Sequence, residues 1–429
     1  MENRETEDRI REGYAYAKKA YAAFGVNTDQ VLEKMKERHI SLHCWQGDDV
    51  KGFEAGAGGA SGGILSTGGY PGTARSGEEL RADYEKAFSL IPGKRRVNLH
   101  AIYAETDGMA VERNKLETGH FRKWIDWARK LDIAIDFNPT CFGHPMAASG
   151  FTLGSKDEKV RKFWVEHVAC CRKIAADIGR EMGKTCVMNI WVPDGMKDIP
   201  ADRMGYRMQL KKSLDEVLAV KYDRRYLIDA FESKLFGIGV ESYTAGSHEF
   251  VMGYALKNNI TMTFDMGHFH LTESIADKIS SALLFSGDLL LHVSRPVRWD
   301  SDHVTILNDD LVAVAQEVKR CNAFDRVYYA LDFFDGSINR ITAWVSGTRA
   351  VLKSILFALL EPTDLIVEAE NSGNYGDRLA LMEEFKTLPF GAVWDKYCMD
   401  MNTPAGAGWL EDIREYEEKV LSKRSGKNL

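Results

Sequence analysis

The stretch Ile260–Val293, ITMTFDMGHFHLTESIADKISSALLFSGDLLLHV, carries the plan of the whole chain. Two short apolar runs, Ile260–Asp265 and Leu289–Val293, flank an amphipathic segment, Thr272–Phe285. Near-continuous apolar runs of this length read as strands buried on both faces, and a helix between two of them is the unit of a parallel sheet. Each run closes on a side chain of metal-ligand type: Asp265 in the first, His292 in the second. A charged carboxylate at the end of a buried strand is costly unless something pairs with it.

Outward from this unit the pattern repeats. Strand-like runs precede it at His39–Cys44, Val97–Tyr103, Ile133–Asn138, Cys186–Val192 and Leu227–Glu232, and one follows at Val327–Phe333, which makes eight. Amphipathic segments separate them at Gly77–Leu90, His120–Leu131, Lys156–Met182, Arg203–Val220, His248–Lys257 and Asp309–Cys321, with Ile341–Leu360 closing the series. Eight strands alternating with helices predict an α/β fold, a (β/α)8 TIM barrel over residues 36–360; a doubly wound open sheet is the competing architecture. The count, and site-type residues at several strand ends rather than one crevice, favour the barrel. Residues 1–35 read as an N-terminal helix. Residues 361–429 read as a C-terminal helical extension holding Tyr375–Thr387, Ala392–Met399 and Gly408–Ser422, which either contacts a neighbouring subunit or covers its own barrel.

Composition narrows the function classes. The 429 residues are 45% hydrophobic and carry a net charge of −7 with no long basic run, so a nucleic-acid partner is not indicated. Seven scattered cysteines with no CxxC read as free thiols in a reducing, cytoplasmic setting. The charged N-terminus lacks an apolar signal core, and no apolar run reads as long enough to span a membrane.

Seven side chains concentrate the chemistry. Glu232, Asp265, His292 and Asp332 end apolar runs, while His268, Asp300 and Asp302 lie just beyond. Five carboxylates and two imidazoles with no cysteine suit a hard to borderline divalent cation such as Mn²⁺, Mg²⁺, Co²⁺ or Zn²⁺. Each fragment also has a plainer reading. Asp300-x-Asp302 puts both carboxylates on one side if its loop is extended, or is a solvated turn. His268 folds back beside Asp265 at Gly267, or is a cap. Glu232 and Lys234 share strand parity and face one cavity, or form a salt bridge. Asp332, among Tyr328, Tyr329, Phe333 and Phe334, calls for a metal or an Arg partner. Across the barrel, His43-Cys44-Trp45, Asn98-Leu99-His100 and Trp191 supply an apolar wall and hydrogen-bond donors for a polyol, or pack the core. The Gly-rich stretch Gly52–Gly72 lacks the Lys-Ser/Thr of a phosphate loop and the GxGxxG spacing for dinucleotides, and reads as a flap.

Together HCWQGDDV (His43–Val50), NLHAIY (Asn98–Tyr103), DFNP (Asp136–Pro139), WVPDGMKD (Trp191–Asp198), ESKLFGIG (Glu232–Gly239), DMGHFH (Asp265–His270), HVSRPVRWDSDH (His292–His303) and LDFFDGSINR (Leu331–Arg340) resemble the L-rhamnose isomerase family, in order and over nearly the whole chain. The resemblance implies a homotetrameric, Mn²⁺-dependent aldose–ketose isomerase of L-rhamnose catabolism with two divalent ions per subunit; Co²⁺, Zn²⁺ or Mg²⁺ are alternatives at one of them. It implies a first metal site at Glu232, Asp265, His292 and Asp332, and a second at His268, Asp300 and Asp302 with Asp265 shared. It implies sugar contacts at Trp45, His100, Trp191 and Lys234, and a pocket for the methyl end at Val50, Ile64 and Tyr103. Catalytic roles fall to Lys234, His268, Asp300 and His100, with hydrogen moving between C2 and C1 by hydride shift or through an enediol. Ala55–Gly63 is all Gly, Ala and Ser, so no bulky pocket contact comes from it. A ketose 3-epimerase on a metal barrel, a metal-dependent nuclease or phosphodiesterase and a non-catalytic sugar-binding protein are the readings of other classes.

Overall fold

The computed structural model describes residues 2–54, 68–235 and 242–425. Eight parallel strands close a barrel: β1 (His39–His43), β2 (Lys94–His100), β3 (Ala134–Asn138), β4 (Cys186–Ile190), β5 (Leu227–Glu232), β6 (Thr261–Asp265), β7 (Leu289–Val293) and β8 (Val327–Leu331). Their order around the barrel is that of the sequence, and β8 closes on β1. Strands β3, β4, β6 and β7 are buried along their whole length, as apolar runs covered on both faces should be. The register sets Asp265 beside His292 and Glu232 beside Thr263, so the last residues of successive strands meet at one rim.

Several strand ends differ from the expectation. β1 stops at His43, and Cys44–Gln46 forms a 3₁₀ turn; β2 stops at His100, followed by a second such turn at Ala101–Tyr103. Trp191 and Asp332 each lie one residue beyond their strand rather than within it. At this rim the chain turns outward into loops, and apolar side chains there line the mouth instead of continuing the sheet. β2 starts three residues early, at Lys94, because Lys94, Arg95 and Arg96 carry their charged heads to the opposite rim on long stems.

The barrel floor is polar. Arg96 grips Asp136 through Nε (2.8 Å) and Nη2 (2.5 Å), and Ser41 Oγ and the Val187 N–H donate to the same carboxylate at 2.6 and 2.9 Å. Above this floor Val187, Ile228, Ala230, Leu290 and Ala330 pack as an inner apolar layer.

The N-terminal segment is two helices, Glu2–Ala22 and Thr28–Lys36. The break falls at Gly25, which has positive φ, and at Asn27, whose side chain caps the N–H groups of Asp29 and Gln30. The C-terminal segment adds an unexpected helix, Thr363–Asn371, before Tyr375–Lys386, Phe390–Asp400 and Trp409–Tyr416. Its last part returns to its own barrel: Arg424 pairs with Asp83 at 2.7 Å, and Asn339 donates to Glu417 at 3.0 Å. A two-stranded antiparallel pair, Gly195–Met196 with Tyr243–Thr244, ties the loops after β4 and β5 and has no signature in the sequence. One helix, Arg340–Leu360, is long and apolar enough to cross a bilayer by length and composition, contrary to the expectation of no such run. It is 78% buried within the fold, as a core helix between the barrel and the terminal helices is.

Candidate metal centre

Four strand ends bring their acidic and imidazole side chains to one point. One ligand atom from each of Glu232, Asp265, His292 and Asp332 lies within 4.8 Å of the other three. His292 Nδ1 sits at the focus, 3.2 Å from Glu232 Oε2, 3.2 Å from Asp332 Oδ2 and 3.8 Å from Asp265 Oδ2. One ring nitrogen cannot satisfy three carboxylates. Among the described residues, both His292 nitrogens, Glu232 Oε1, Asp265 Oδ2 and Asp300 Oδ1 are buried and make no hydrogen bond. Orphaned buried polar atoms of one donor set, aimed at one another, are what a cation would satisfy, so the residues present fit a divalent ion.

A second group adjoins the first and shares Asp265. Asp265, His268 and Asp300 again hold ligand atoms within 4.8 Å of one another. The chain turns at once after β6: the Gly267 N–H bonds Asp265 Oδ1 at 2.6 Å, and the His268 N–H bonds the Asp265 carbonyl at 3.2 Å. His268 Nδ1 lies 2.7 Å from the Ser233 carbonyl and 3.0 Å from Glu232 Oε1, which leaves Nε2 turned to the cavity. A ligating imidazole ordinarily has its other nitrogen anchored in this way. Nε2 lies 3.3 Å from Asp300 Oδ2 and 3.0 Å from Lys234 Nζ, and Lys234 also pairs with Asp300 at a very short distance. Lys234 therefore pairs with Asp300 rather than with Glu232.

The charges are in conflict without a cation. Burial pushes the Asp265 carboxyl up to about 8; the charges of Glu232, Asp332 and Asp300 add to this, against the pull of His268. Burial opposes a charged His268, but Asp265 and Asp300 outweigh it and hold its pKa well above the imidazole range. The same contest, with Glu232 and Asp332 as partners, raises His292. Burial also opposes a charged Lys234, yet Asp300 and Asp302 keep the ammonium ionised. Buried carboxylates crowded this closely raise one another's pKa and those of the imidazoles beside them, the electrostatic setting that a divalent cation relieves.

The facing wall is aromatic. Trp45 stands edge-on to His43 and His100, with ring centres 4.9 and 4.4 Å apart, and Phe142 stands edge-on to His100 and Trp191 at 5.7 and 5.8 Å. Lys234 Nζ lies 5.4 Å from the Trp191 ring centre, so the ammonium spans the gap between the wall and the acids. His100 Nδ1 is 2.8 Å from Thr140 Oγ1, and burial pushes its pKa down to about 3, which keeps the ring neutral.

The family model for L-rhamnose isomerase (RhaA) matches residues 8–424. The chain belongs to the L-rhamnose isomerase family. It is 54% identical over 417 residues to the L-rhamnose isomerase of Salmonella paratyphi A, and 54% identical over 417 residues to that of Salmonella typhimurium. Each alignment covers 97% of this chain and 99% of the relative. Among solved structures it is similar to a xylose isomerase-like TIM barrel protein from Mycobacterium smegmatis in complex with magnesium. That likeness has a TM-score of 0.43 and 13% identity over 75% of this chain and 97% of that one.

Of the residues singled out in this member of the isomerase family, Glu232, Asp265, His268, His292, Asp300 and Asp332 converge. Asp302 does not join either group. Its φ of 43° shows that the loop is not extended there, contrary to the basis on which it was paired with Asp300. Its carbonyl accepts from the Phe334 N–H at 3.1 Å, and its carboxyl is pushed well up by burial and then by Asp300, Asp332 and Asp265. Trp45, His100, Trp191 and Lys234 face one another across the mouth. Val50 and Tyr103 are buried behind Trp45, and the Tyr103 hydroxyl is bonded to Asp48 at 2.5 Å. Ile64, the run Ala55–Gly63 and Phe236–Gly239 lie outside the described residues.

Two residues near this site, Asn189 and Gln46, went unread in the sequence, and the need for a third, Gly267, was read only in part. Asn189, buried in β4, donates a short hydrogen bond to Glu232 and accepts one from Thr263 Oγ1 at 2.7 Å. A lone Asn in an apolar strand is the same kind of signal that exposed Asp332. Gln46 clamps the backbone beyond Asp332, accepting from the Asp335 N–H at 2.8 Å and donating to its carbonyl at 2.9 Å. Gly267 does stand in the turn after β6, as read, but its φ is not in the left-handed region. It is needed because Asp300 Oδ1 lies only 2.1 Å from where a Cβ would stand.

Proposed function

We propose that the protein interconverts L-rhamnose and L-rhamnulose with two divalent ions, Mn²⁺ foremost, held at the adjoining groups that share Asp265. The observation that carries this reading is the set of orphaned buried ligand atoms facing an aromatic wall across one barrel mouth. Glu232, Asp265, His292 and Asp332 would hold the first ion, and His268, Asp300 and Asp265 the second, with Asp302, whose carboxyl feels Asp300, Asp332 and Asp265, as the remaining candidate. Bound there, the ions supply Lewis-acid polarisation of the sugar's oxygens.

The side chains do the rest. Trp45 and Trp191 pack on the sugar and exclude water; Val50, Ile64 and Tyr103 would surround its methyl end. Lys234, held charged, donates to an oxygen on which negative charge develops, and the dry mouth strengthens that interaction. His100, neutral, orients the ring and assists its opening. In the open chain, hydrogen with its electron pair passes from C2 to C1 while the proton of O2 passes to O1, leaving a ketone at C2 and an alcohol at C1. The hydride shift needs no base at carbon, whereas an enediol route would need one, His100 or a carboxylate. Asp300 is engaged by Lys234 and His268.

Ketose formation from L-rhamnose with Mn²⁺, and its loss with chelator, tests the activity; no ketose under either condition overturns the proposal. With C2-deuterated L-rhamnose in ordinary water, deuterium retained at C1 supports the hydride shift and wash-out sinks it. A homotetramer in the cytoplasm completes the reading on family resemblance, and sedimentation of the purified protein tests its assembly.

A further inference from the structure

We infer that Thr140 is a positioning residue for the isomerisation: its hydroxyl, presented by a strained backbone, holds the His100 imidazole in one tautomer and one orientation at the mouth. This rests on the proposed role of His100 as a sugar contact. Thr140 is buried two residues beyond β3, with φ of +57°. That conformation ordinarily belongs to glycine or asparagine, and a β-branched residue in it is an outlier that persists only where its surroundings over-determine it.

Here they do. The buried Arg113 guanidinium donates to three backbone carbonyls of one loop: Thr140 at 2.8 Å, Phe142 at 2.5 Å and Gly143 at 3.1 Å. Its remaining donors close on the Glu54 carboxylate at 2.8 and 2.9 Å. The fully buried His167 meets the Pro139 carbonyl with one ring nitrogen and the Arg113 carbonyl with the other, at 2.9 Å. Much buried polar machinery is thus devoted to one five-residue stretch of main chain, residues 139–143. What it presents to the mouth is Thr140 Oγ1, 2.8 Å from His100 Nδ1.

The ring of His100 is boxed by Trp45 and Phe142, so its plane is fixed. A neutral imidazole carries one N–H, and which nitrogen bears it follows from what the other one meets. Among the described residues the Thr140 hydroxyl proton has no other acceptor, so it goes to Nδ1. The ring proton then stands on Nε2, which is turned into a donor. When a pyranose ring opens, the bond from C1 to the ring oxygen breaks, C1=O1 forms and the O1 proton ends on the former ring oxygen; an Nε2–H orients that oxygen by donating a hydrogen bond to it.

Two variants separate hydroxyl from backbone. Thr140→Val keeps size, branching and strain and removes the hydroxyl; Thr140→Ser keeps the hydroxyl and eases the strain. Thr140→Val is expected to lower kcat on L-rhamnose by about 10–100-fold, less than loss of a placed acid or base itself, which contributes about 10²–10⁴-fold, while Thr140→Ser stays within about threefold of wild type. In a His100→Ala background Thr140→Val should change the rate by less than about twofold, because residues acting through one another are not additive. Thr140→Ala serves in its place if the valine variant does not fold. The inference is overturned if Thr140→Val keeps wild-type kcat, if serine does not rescue, or if the loss is undiminished without His100. If His100→Ala alone leaves the rate unchanged, the role given to His100 fails first and this inference with it.

Discussion

Gly267→Ala is the sharpest small perturbation of the second ligand group. The added Cβ would stand 2.1 Å from Asp300 Oδ1, 3.1 Å from its Cγ and 3.3 Å from Asp265 Oδ1. Carbon–oxygen approaches below about 3 Å are repulsive, so the Asp300 oxygen must retreat by roughly 1 Å. It cannot do so freely, because the same carboxylate is held by Lys234 and lies 3.3 Å from His268 Nε2. The backbone of Gly267 is not left-handed, so alanine brings no φ strain and the fold should survive. A misplacement of about 1 Å in a reacting constellation costs on the order of 10²-fold, about 2.7 kcal/mol of barrier. The assay is initial-rate ketose formation from L-rhamnose at saturating Mn²⁺, with Mn²⁺ titration and thermal unfolding in parallel. Gly253→Ala, in open space on the helix His248–Asn258, is the control. A folded Gly267→Ala protein with kcat/KM within threefold of wild type would refute the claim that this glycine exists to let Asp300 approach.

Lys234→Met should lower kcat by about 10²–10³-fold with a smaller change in KM, as removal of a single preorganised donor does; a comparable loss confined to KM would contradict the electrostatic role. Asn189→Leu should weaken the tighter Mn²⁺ site about 10–100-fold in a direct titration followed by electron paramagnetic resonance, because it removes the donor that orients Glu232; unchanged affinity would count against it. His39 begins β1 at the barrel floor, and burial, then Arg96, push its pKa down to about 4. The protonated form is thus favoured in the unfolded chain, and stability is lost as pH falls from about 6.5 through 4, by up to about 3 kcal/mol. In His39→Gln the melting temperature should fall less than in wild type over that interval, and parallel curves would sink the assignment.

The barrel was legible because its strands are apolar runs of regular spacing, and the first ligand group because a carboxylate has no cheap reason to end such a run. Glu232, Asp265 and Asp332 announce themselves by that cost. The second group was less legible because its members stand in loops. His268 is set by a turn whose hydrogen bonds are local, but the loop through Asp300 and Asp302 takes a left-handed step at Asp302 that no periodicity encodes. The pairing of Gly195–Met196 with Tyr243–Thr244, the Gln46 clamp and the Thr140–His100 contact join residues far apart in sequence through very few hydrogen bonds. Each residue type involved is common, so only the folded chain reveals its purpose.

The ring of strands is divided in two. Glu232, Asp265, His292 and Asp332 come from consecutive strands β5 to β8, whereas Trp45, His100 and Trp191 stand at the ends of β1, β2 and β4. The metal-ligand side chains and the aromatic wall therefore occupy separate halves of one closed sheet, and Lys234, beside both Trp191 and Asp300, joins them at the mouth. On the proposed function, the wall after β1 is the place to refit the mouth to a different sugar, because new side chains there leave both groups of metal-ligand type on β5 to β8 unchanged.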